Sequence, residues 1–134
     1  MRFTLYALLS IMLMLPCYTY AEEEEEESAP AQSFYFSIEP SIVANLTSGA
    51  KYCRVDIQVS TQNEEQFENI KLHAPAMRHE LLMLLSEQNG KALRTPEGKE
   101  AFRKTALTAV QGVIEGLTGV DSVKELYFTG FFVQ

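Results

Sequence analysis

Alternating apolar and polar residues mark two stretches in the first half of the chain. In FYFSIE, residues 34–39, every second side chain is apolar, and in AKYCRVDIQVST, residues 50–61, Cys53 is in register with the apolar set. A period of two places the apolar side chains on one side of a β-strand. The pattern predicts two half-buried strands. Pro40 is predicted to end the first, and SIVANL, residues 41–46, is available to extend it after a bend.

The apolar period lengthens to three and four residues after the second strand, which predicts an amphipathic helix over about 63–88. Its apolar positions are Phe67, Ile70, Ala74, Met77, Leu81, Leu84 and Leu85. Asn63 is a suitable N-cap, and Asn89-Gly90 is predicted to stop the helix. Pro75 lacks a backbone donor and crowds the preceding turn, so we expect the helix to kink or split there.

A second helix is predicted from TPEGKEAFR, residues 95–103. Thr95 is suited to cap it, and Pro96 occupies the first helical position, where a missing N–H costs nothing. The predicted buried stripe is Phe102, Ala106, Ala109, Val113 and Leu117. Gly116 and Gly119 are predicted to end the helix.

The last predicted strand is SVKELYFTGFFVQ, residues 122–134, which is apolar on both faces over much of its length. Such a strand is expected to be central, with helices on one side and another layer, such as a second subunit, on the other. The order strand, strand, helix, helix, strand predicts an α+β domain: a small, mainly antiparallel sheet with two amphipathic helices on one face.

The first residues resemble a secretory signal peptide. Arg2 precedes the apolar run 3–15, and Thr19 and Ala21 are small residues at the −3 and −1 positions of a cut before Glu22. The run is shorter than the ~20 residues that a spanning helix needs. The sequence therefore favours cleavage of residues 1–21 over retention.

Two alternatives to cleavage remain open. In one, the leader stays as a short membrane anchor, with Tyr18 and Tyr20 at the interface. In the other, Cys17 is lipidated, although Pro16 fits a lipoprotein site poorly. All three alternatives place residues 22–134 outside the cytoplasm.

Charge is unevenly distributed along the chain. The net charge is −7, and residues 22–27 hold six of the 18 acidic side chains. Such a block repels itself, so residues 22–33 are predicted to be a disordered acidic linker before the folded domain, 34–134. No basic face is evident, which argues against nucleic-acid binding.

The sequence shows no motif of catalysis, metal binding or cofactor binding. His73 and His79 are six residues apart on a predicted helix, so they do not converge on one metal ion. Cys53 has no visible base partner and is predicted to be a small buried hydrophobic residue. The sequence therefore predicts a non-enzymatic binding or structural role without a cofactor.

Four stretches together resemble the flagellar basal body-associated protein FliL family. They are FYFSIEPSIVANL (34–46), HAPAMRHELLMLLSEQ (73–88), LRTPEGKEAFRKTAL (93–107) and ELYFTGFFVQ (125–134), in the family's order. The most specific pieces are TPEGKEAFR, the proline-interrupted Leu-rich helix and the aromatic strand at the end. The likeness covers Phe34 to Gln134.

The resemblance implies a periplasmic domain at the inner-membrane side of the flagellar motor. There the family assembles around stator units and supports torque, swimming and swarming. It also implies a stomatin-like (SPFH-like) α+β domain that tends to form rings. The sequence departs from the family pattern in its short leader, which lacks a full-length transmembrane helix. This departure argues against permanent anchoring, and a cleaved version would be a soluble periplasmic paralogue that partners alone recruit.

The working surface is expected to be a protein–protein contact on the outer side of the last strand, with Tyr127 and Phe131. The expected partners are stator or basal-body proteins and further copies of the chain. An alternative function is a soluble periplasmic binding module for a small apolar ligand, which requires a cavity lined by Phe128, Phe132 and Leu81.

Overall fold

A computed structural model describes residues 31–134 as a sheet covered on one side by helices. The elements in chain order are β1 (Phe34–Asn45), β2 (Tyr52–Thr61), α1 (Glu64–Ser86), α2 (Gly90–Leu93), α3 (Pro96–Thr118) and β3 (Glu125–Val133). The predicted α+β class is confirmed, with the five predicted elements in their predicted order and the short helix α2 in addition.

The sheet has three antiparallel strands in the order β1-β2-β3. The prediction that the last strand is central was wrong: β2 is central, and β3 is an edge. The two-sided apolar pattern of β3 has a different origin. Leu126 is buried under the helices, whereas Tyr127 and Phe132 are exposed on the other side.

One hydrophobic core lies between the sheet and the two long helices. It includes Cys53, Val55, Ile57 and Val59 from β2, Ile70, Met77, Leu81 and Leu85 from α1, and Phe102, Ala106, Val110 and Ile114 from α3. The predicted stripe of α3 was correct at its start and wrong at its end. The buried row continues at four-residue steps to Val110 and Ile114, and Leu117 is 54% exposed.

The helix ends follow local chemistry. The side chains of Asn63 and Thr95 accept hydrogen bonds from the backbone N–H of Gln66 and Gly98, which satisfies donors that a helix N-terminus leaves free. Gly119 ends α3 at φ +77°, a left-handed conformation that glycine adopts without steric cost.

Of the two outcomes expected at Pro75, a split is excluded, because a single helix runs from Glu64 to Ser86. Helix α1 ends before Asn89-Gly90, as predicted, but the chain enters a further short helix directly after Asn89. That side chain accepts a hydrogen bond from the backbone N–H of Lys91 at 2.8 Å and so caps α2. Helix α2 has only four residues, which is too short for a helical period to be recognised in the sequence.

Both edge strands are irregular where they pass Asp56 of β2. The register of β1 shifts between Ile38 and Ile42, around the cis peptide bond Glu39-Pro40. The register of β3 shifts beside Asp56 as well, because Gly130 pairs with Asp56 and Phe128 already pairs with Ile57. Pro40 therefore lies within a bulge of β1 and does not end the strand, since bulges tolerate a missing donor.

Candidate functional site

The side of the sheet that faces away from the helices is open in the described part of the chain. We call it the open sheet face, and its residues are Tyr35, Ser37, Tyr52, Arg54, Asp56, Gln58, Tyr127 and Phe132. They alternate with the core residues along each strand, as the pleat requires. This face carries exposed aromatic side chains that a partner can reach.

Aromatic pairs lie toward both ends of the open sheet face. The ring centroids of Tyr35 and Tyr127 are 6.3 Å apart, and those of Tyr52 and Phe132 are 6.2 Å apart. Tyr35, Tyr127 and Phe132 are 53%, 42% and 53% exposed. Large exposed aromatic side chains are enriched in protein–protein interfaces, so their position indicates a binding surface.

Asp56 occupies the centre of the open sheet face between the two bulges. Its carboxylate accepts a hydrogen bond from the hydroxyl of Ser41 and lies 3.6 Å from the guanidinium of Arg54. The carboxylate also lies directly over Gly130, where any Cβ would collide with it. Glycine at this position therefore permits the close approach of the Asp56 carboxylate, which a larger residue would displace.

Two shallow depressions flank this centre, with volumes of about 600 and 400 Å³. The larger lies toward Pro40 and Ser41, and the smaller lies between Tyr52 and Phe132. The bulges open them, because each bends an edge strand away from regular pairing. The surface therefore has protruding aromatic side chains beside two depressions, and side chains of a partner can fit into the depressions.

Arg78 of α1 holds the β1 bulge from the side of the helices. Its guanidinium donates to the backbone carbonyl oxygens of Pro40 and of Ser41, the latter at 3.0 Å. A charged donor on two carbonyl groups makes strong hydrogen bonds. The shape of the open sheet face at Ser41 therefore depends on a contact from the opposite layer.

The structure separates the two residues predicted to form the partner surface. Tyr127 lies on the open sheet face, but Phe131 points toward α3, where its ring is edge-on to Phe102 at 6.5 Å and lies under the ammonium group of Lys99 at 5.1 Å. The bulge in β3 reverses the alternation after Phe128. Phe132 therefore takes the exposed place that strict alternation assigned to Phe131.

The signal for this reversal is present in the sequence. Gly130 interrupts an otherwise apolar strand, and a glycine inside a strand pattern often marks a bulge. A bulge at this point assigns Phe132, and not Phe131, to the side of Tyr127.

The three residues named for an apolar ligand cavity do not share a cavity. Leu81 is buried in the core, and Phe128 stacks on Phe102 at 5.6 Å on the same side of the sheet. Phe132 lies on the other side of the sheet, exposed. The sheet itself separates these side chains, so they cannot surround one ligand.

Potentially reactive groups are few in the described residues. Burial raises the pKa of the Cys53 thiol to about 11, against a weaker opposing effect of Lys99, so the thiol is protonated at neutral pH. Among residues 31–134, no group of three or more His, Cys, Asp or Glu side chains is placed to hold a metal ion.

The predicted cleavage residues Thr19, Ala21 and Glu22 lie outside the described residues. Within the described range, no helix is both long enough and apolar enough to cross a membrane.

Exposed aromatic side chains on an uncovered sheet face are typical of a surface that binds another protein. The family model for "Flagellar basal body-associated protein FliL" matches residues 35–134, which is nearly the whole described domain. The chain therefore belongs to the FliL family of flagellar basal body-associated proteins.

A similar protein from another organism agrees with this assignment. The chain is 26% identical over 108 residues to "Flagellar protein FliL" of Aquifex aeolicus (strain VF5). The match covers 78% of this chain and 64% of the Aquifex protein. The chain thus spans slightly less than two thirds of the length of this relative.

Proposed function

We propose that this protein is a non-enzymatic component of the flagellar motor that acts on the periplasmic side of the inner membrane. It supports stator function, flagellar rotation and swimming or swarming motility by contact with stator or basal-body proteins and with further copies of itself, assembled as a ring. The observation that carries the proposal is the family match over residues 35–134, which covers both the core and the open sheet face.

The proposed mechanism is contact between proteins, and two features support it. The exposed rings of Tyr127 and Phe132 offer apolar contact area on a strand. Each of these side chains has only two χ angles, so it loses little conformational entropy when a partner binds. The charged pair Arg54 and Asp56 lies between them, where it can fix the orientation of a partner. No reaction step is required of any residue.

The export proposal depends on the leader. The apolar run 3–15 and the small residues Thr19 and Ala21 before Glu22 support cleavage and release of the domain into the periplasm. The acidic linker 22–33 then precedes the domain as a solvated spacer. In this arrangement, partners at the basal body hold the protein near the membrane.

The test is an in-frame deletion of the gene in its own organism. We expect reduced swimming in soft agar and fewer fluorescently labelled stator units per motor, with the number of flagellar filaments unchanged by electron microscopy. Restoring the gene should restore both measurements. Filament counts are the control, because a loss of filaments would explain immotility without any motor role.

Unchanged motility and unchanged stator occupancy in the deletion strain would contradict the proposal. Recovery of the wild-type protein in the cytosolic fraction would also contradict it.

A further inference from the structure

The outer edge of β3 carries backbone groups that point away from the sheet. Within residues 31–134, β3 has one strand neighbour, β2. The backbones of Tyr52 and Gln134 exchange two hydrogen bonds, each 3.0 Å long. In an antiparallel ladder, residues bonded in this way alternate with residues whose backbone groups point away from the partner strand. Phe132 therefore bonds β2 as Gln134 does, whereas the N–H and C=O groups of Phe131 and Val133 point outward. We call these two residues the free edge of β3.

Arginine side chains from the helices occupy backbone carbonyl groups elsewhere on the two edge strands. Arg103 of α3 donates to the carbonyl oxygen of Leu126 in β3 at 3.2 Å. Arg78 of α1 donates to the carbonyl oxygens of Pro40 and Ser41 in the bulge of β1. Covered carbonyl groups, proline and bulges all hinder the addition of a further strand to an edge. In the described part of the chain, the free edge of β3 has no such cover.

A positive charge without a carboxylate partner lies beside the free edge. The ammonium group of Lys99 is 5.1 Å from the ring centroid of Phe131. Lys99 is partly buried and forms no salt bridge with another residue of the range 31–134. Of the acidic residues near it along α3, Glu100 is bonded to Arg103 at 2.8 Å, and Glu97 lies exposed in the first turn. An acidic side chain brought to this side of the free edge would therefore meet an uncompensated positive charge.

We propose that the free edge of β3 binds an extended segment of another protein as a fourth strand of the sheet, with an acidic side chain toward Lys99 and apolar side chains toward Phe132. Backbone hydrogen bonds supply affinity in this mode of binding, and alternate side chains supply specificity. The residue opposite Phe131 lies on the helix side, and its two neighbours lie on the side of the exposed Phe132 ring. This inference rests on the proposed function, in which basal-body proteins are the partners, and names the edge and the kind of segment that it binds.

Lys99 argues against a second copy as the occupant of the free edge. Two copies joined antiparallel through β3 would form one continuous sheet with both helix layers on the same side. The two Lys99 ammonium groups would then lie near each other across the joint, where like charges repel. The glutamate run 22–27 has the required charge, but it has no apolar side chains between its carboxylates, and glutamate is unfavourable in strands. An apolar–acidic–apolar segment suits both sides of the edge.

The test titrates the full chain, purified as the cell makes it and labelled with ¹⁵N, with the end-blocked peptide TVEVTV. We expect the largest NMR shift changes at the amides of Phe131 and Val133. The same peptide with a methyl group on the backbone nitrogen of its glutamate should bind at least about tenfold more weakly, because it keeps every side chain and loses the donor opposite Phe131.

Two proline variants test which backbone groups point outward. Val133→Pro removes an outward N–H, so it should weaken peptide binding at least about tenfold and leave the melting temperature close to that of the wild type. Phe132→Pro removes an N–H that bonds β2, so it should destabilise the fold. Equal destabilisation by the two variants would show that Val133 belongs to the ladder with β2 and would overturn the assignment of the free edge.

Lys99→Met tests the charge, and Lys104→Met is its control because Lys104 is an exposed lysine on the same helix. Lys99→Met should weaken binding of TVEVTV about threefold and leave binding of TVQVTV unchanged, which isolates the contact between the two charges. Lys104→Met should change neither affinity. Equal affinity of the wild type for both peptides would refute the role of Lys99.

Further measurements identify other occupants of the edge. A wild-type dimer in sedimentation velocity that Val133→Pro abolishes would assign the edge to a second copy. Tighter peptide binding after deletion of residues 22–27 would assign it to the glutamate run. Either result would overturn the proposal, as would a wild-type chain that does not bind TVEVTV.

Motility separates this inference from the proposed function. A strain that makes Val133→Pro at the wild-type level should swim as poorly in soft agar as the deletion strain. Normal swimming of the Val133→Pro strain beside a defective deletion strain would remove the inference and leave the proposed function standing. A deletion strain without a defect would contradict the proposed function, whatever the peptide measurements show.

Discussion

Cys53 is a small residue whose position has a measurable electrostatic consequence. It is fully buried on the inward side of β2, and burial is the main reason that its pKa is raised from 9.0 to about 11. A thiol that keeps its proton in the folded protein and loses it in the unfolded chain makes stability depend on pH.

We predict that this dependence appears between pH 9 and 11. The folded-state pKa is raised, so the contribution is complete below the unfolded value of 9.0 and is lost as the pH rises toward about 11. The loss is roughly 2 to 3 kcal/mol over this range, from ~1.4 kcal/mol per pH unit. Urea unfolding of the wild type and of Cys53→Ala at each pH measures the difference.

Val55→Ala is the matched control, because Val55 is buried on the same side of β2 and carries no titratable group. It should lose stability equally at every pH, by an amount typical of a small core cavity, and keep the alkaline slope of the wild type. An alkaline slope in Cys53→Ala equal to that of the wild type would show that the thiol does not produce it.

At the scale of elements, periodicity predicted the helices and strands because most of the core is regular. The row of apolar residues in β2 and the caps at Asn63 and Thr95 are local signals, and each has the predicted role in the structure. Local signals fix where an element begins and which residues alternate. They do not fix which strand is central, because that depends on pairing between distant segments.

The errors in β3 follow from two such non-local facts. Strand order made β3 an edge, and no second layer within residues 31–134 covers its outward aromatic residues. The bulge beside Asp56 then shifted Phe131 inward and Phe132 outward. Of the predicted partner surface, only Tyr127 lies on the open sheet face, and its role there stays a prediction.

The contact of Arg78 with β1 leads to an element-scale prediction. Arg78→Met removes the hydrogen bonds to the carbonyl oxygens of Pro40 and Ser41 while it keeps an unbranched apolar stem in place of the arginine methylenes. We expect a loss of about 1.5 to 3 kcal/mol, the usual range for hydrogen bonds to charged groups. Amide hydrogen exchange should also accelerate in β1 around Ser41, with the β2–β3 pairing less affected.

Lys71→Met is the control on the same helix, since Lys71 makes only an exposed contact with Glu68 at 3.7 Å. An exposed ion pair of this kind contributes little. If Arg78→Met and Lys71→Met changed the free energy of unfolding and the amide exchange rates to the same small extent, the geometry of the β1 bulge would not depend on Arg78.

At the scale of the whole molecule, the leader decides how the domain reaches its partners. A retained leader would concentrate copies in the plane of a membrane, whereas a cleaved leader leaves association dependent on the bulk concentration in the periplasm.

We predict that the mature protein begins at Glu22. The apolar run 3–15 is too short to span the ~30 Å hydrocarbon layer, and Thr19 and Ala21 supply the small side chains that a signal peptidase requires. Ala21→Leu should therefore block cleavage and retain the chain in the membrane fraction. Tyr20→Leu, at the neighbouring position, should be cut normally and serve as its control.

Mass spectrometry of the protein from fractionated cells separates the three alternatives for the leader. A chain that begins at Glu22 in the soluble periplasm supports cleavage. A chain that begins at Met1 in the membrane pellet supports the short anchor, and one that begins at a modified Cys17 supports lipidation. Either of the last two contradicts the prediction. The outcome also sets the concentration at which the proposed contacts with basal-body proteins have to operate, because an anchored protein needs a weaker contact than a free one to assemble around the same partner.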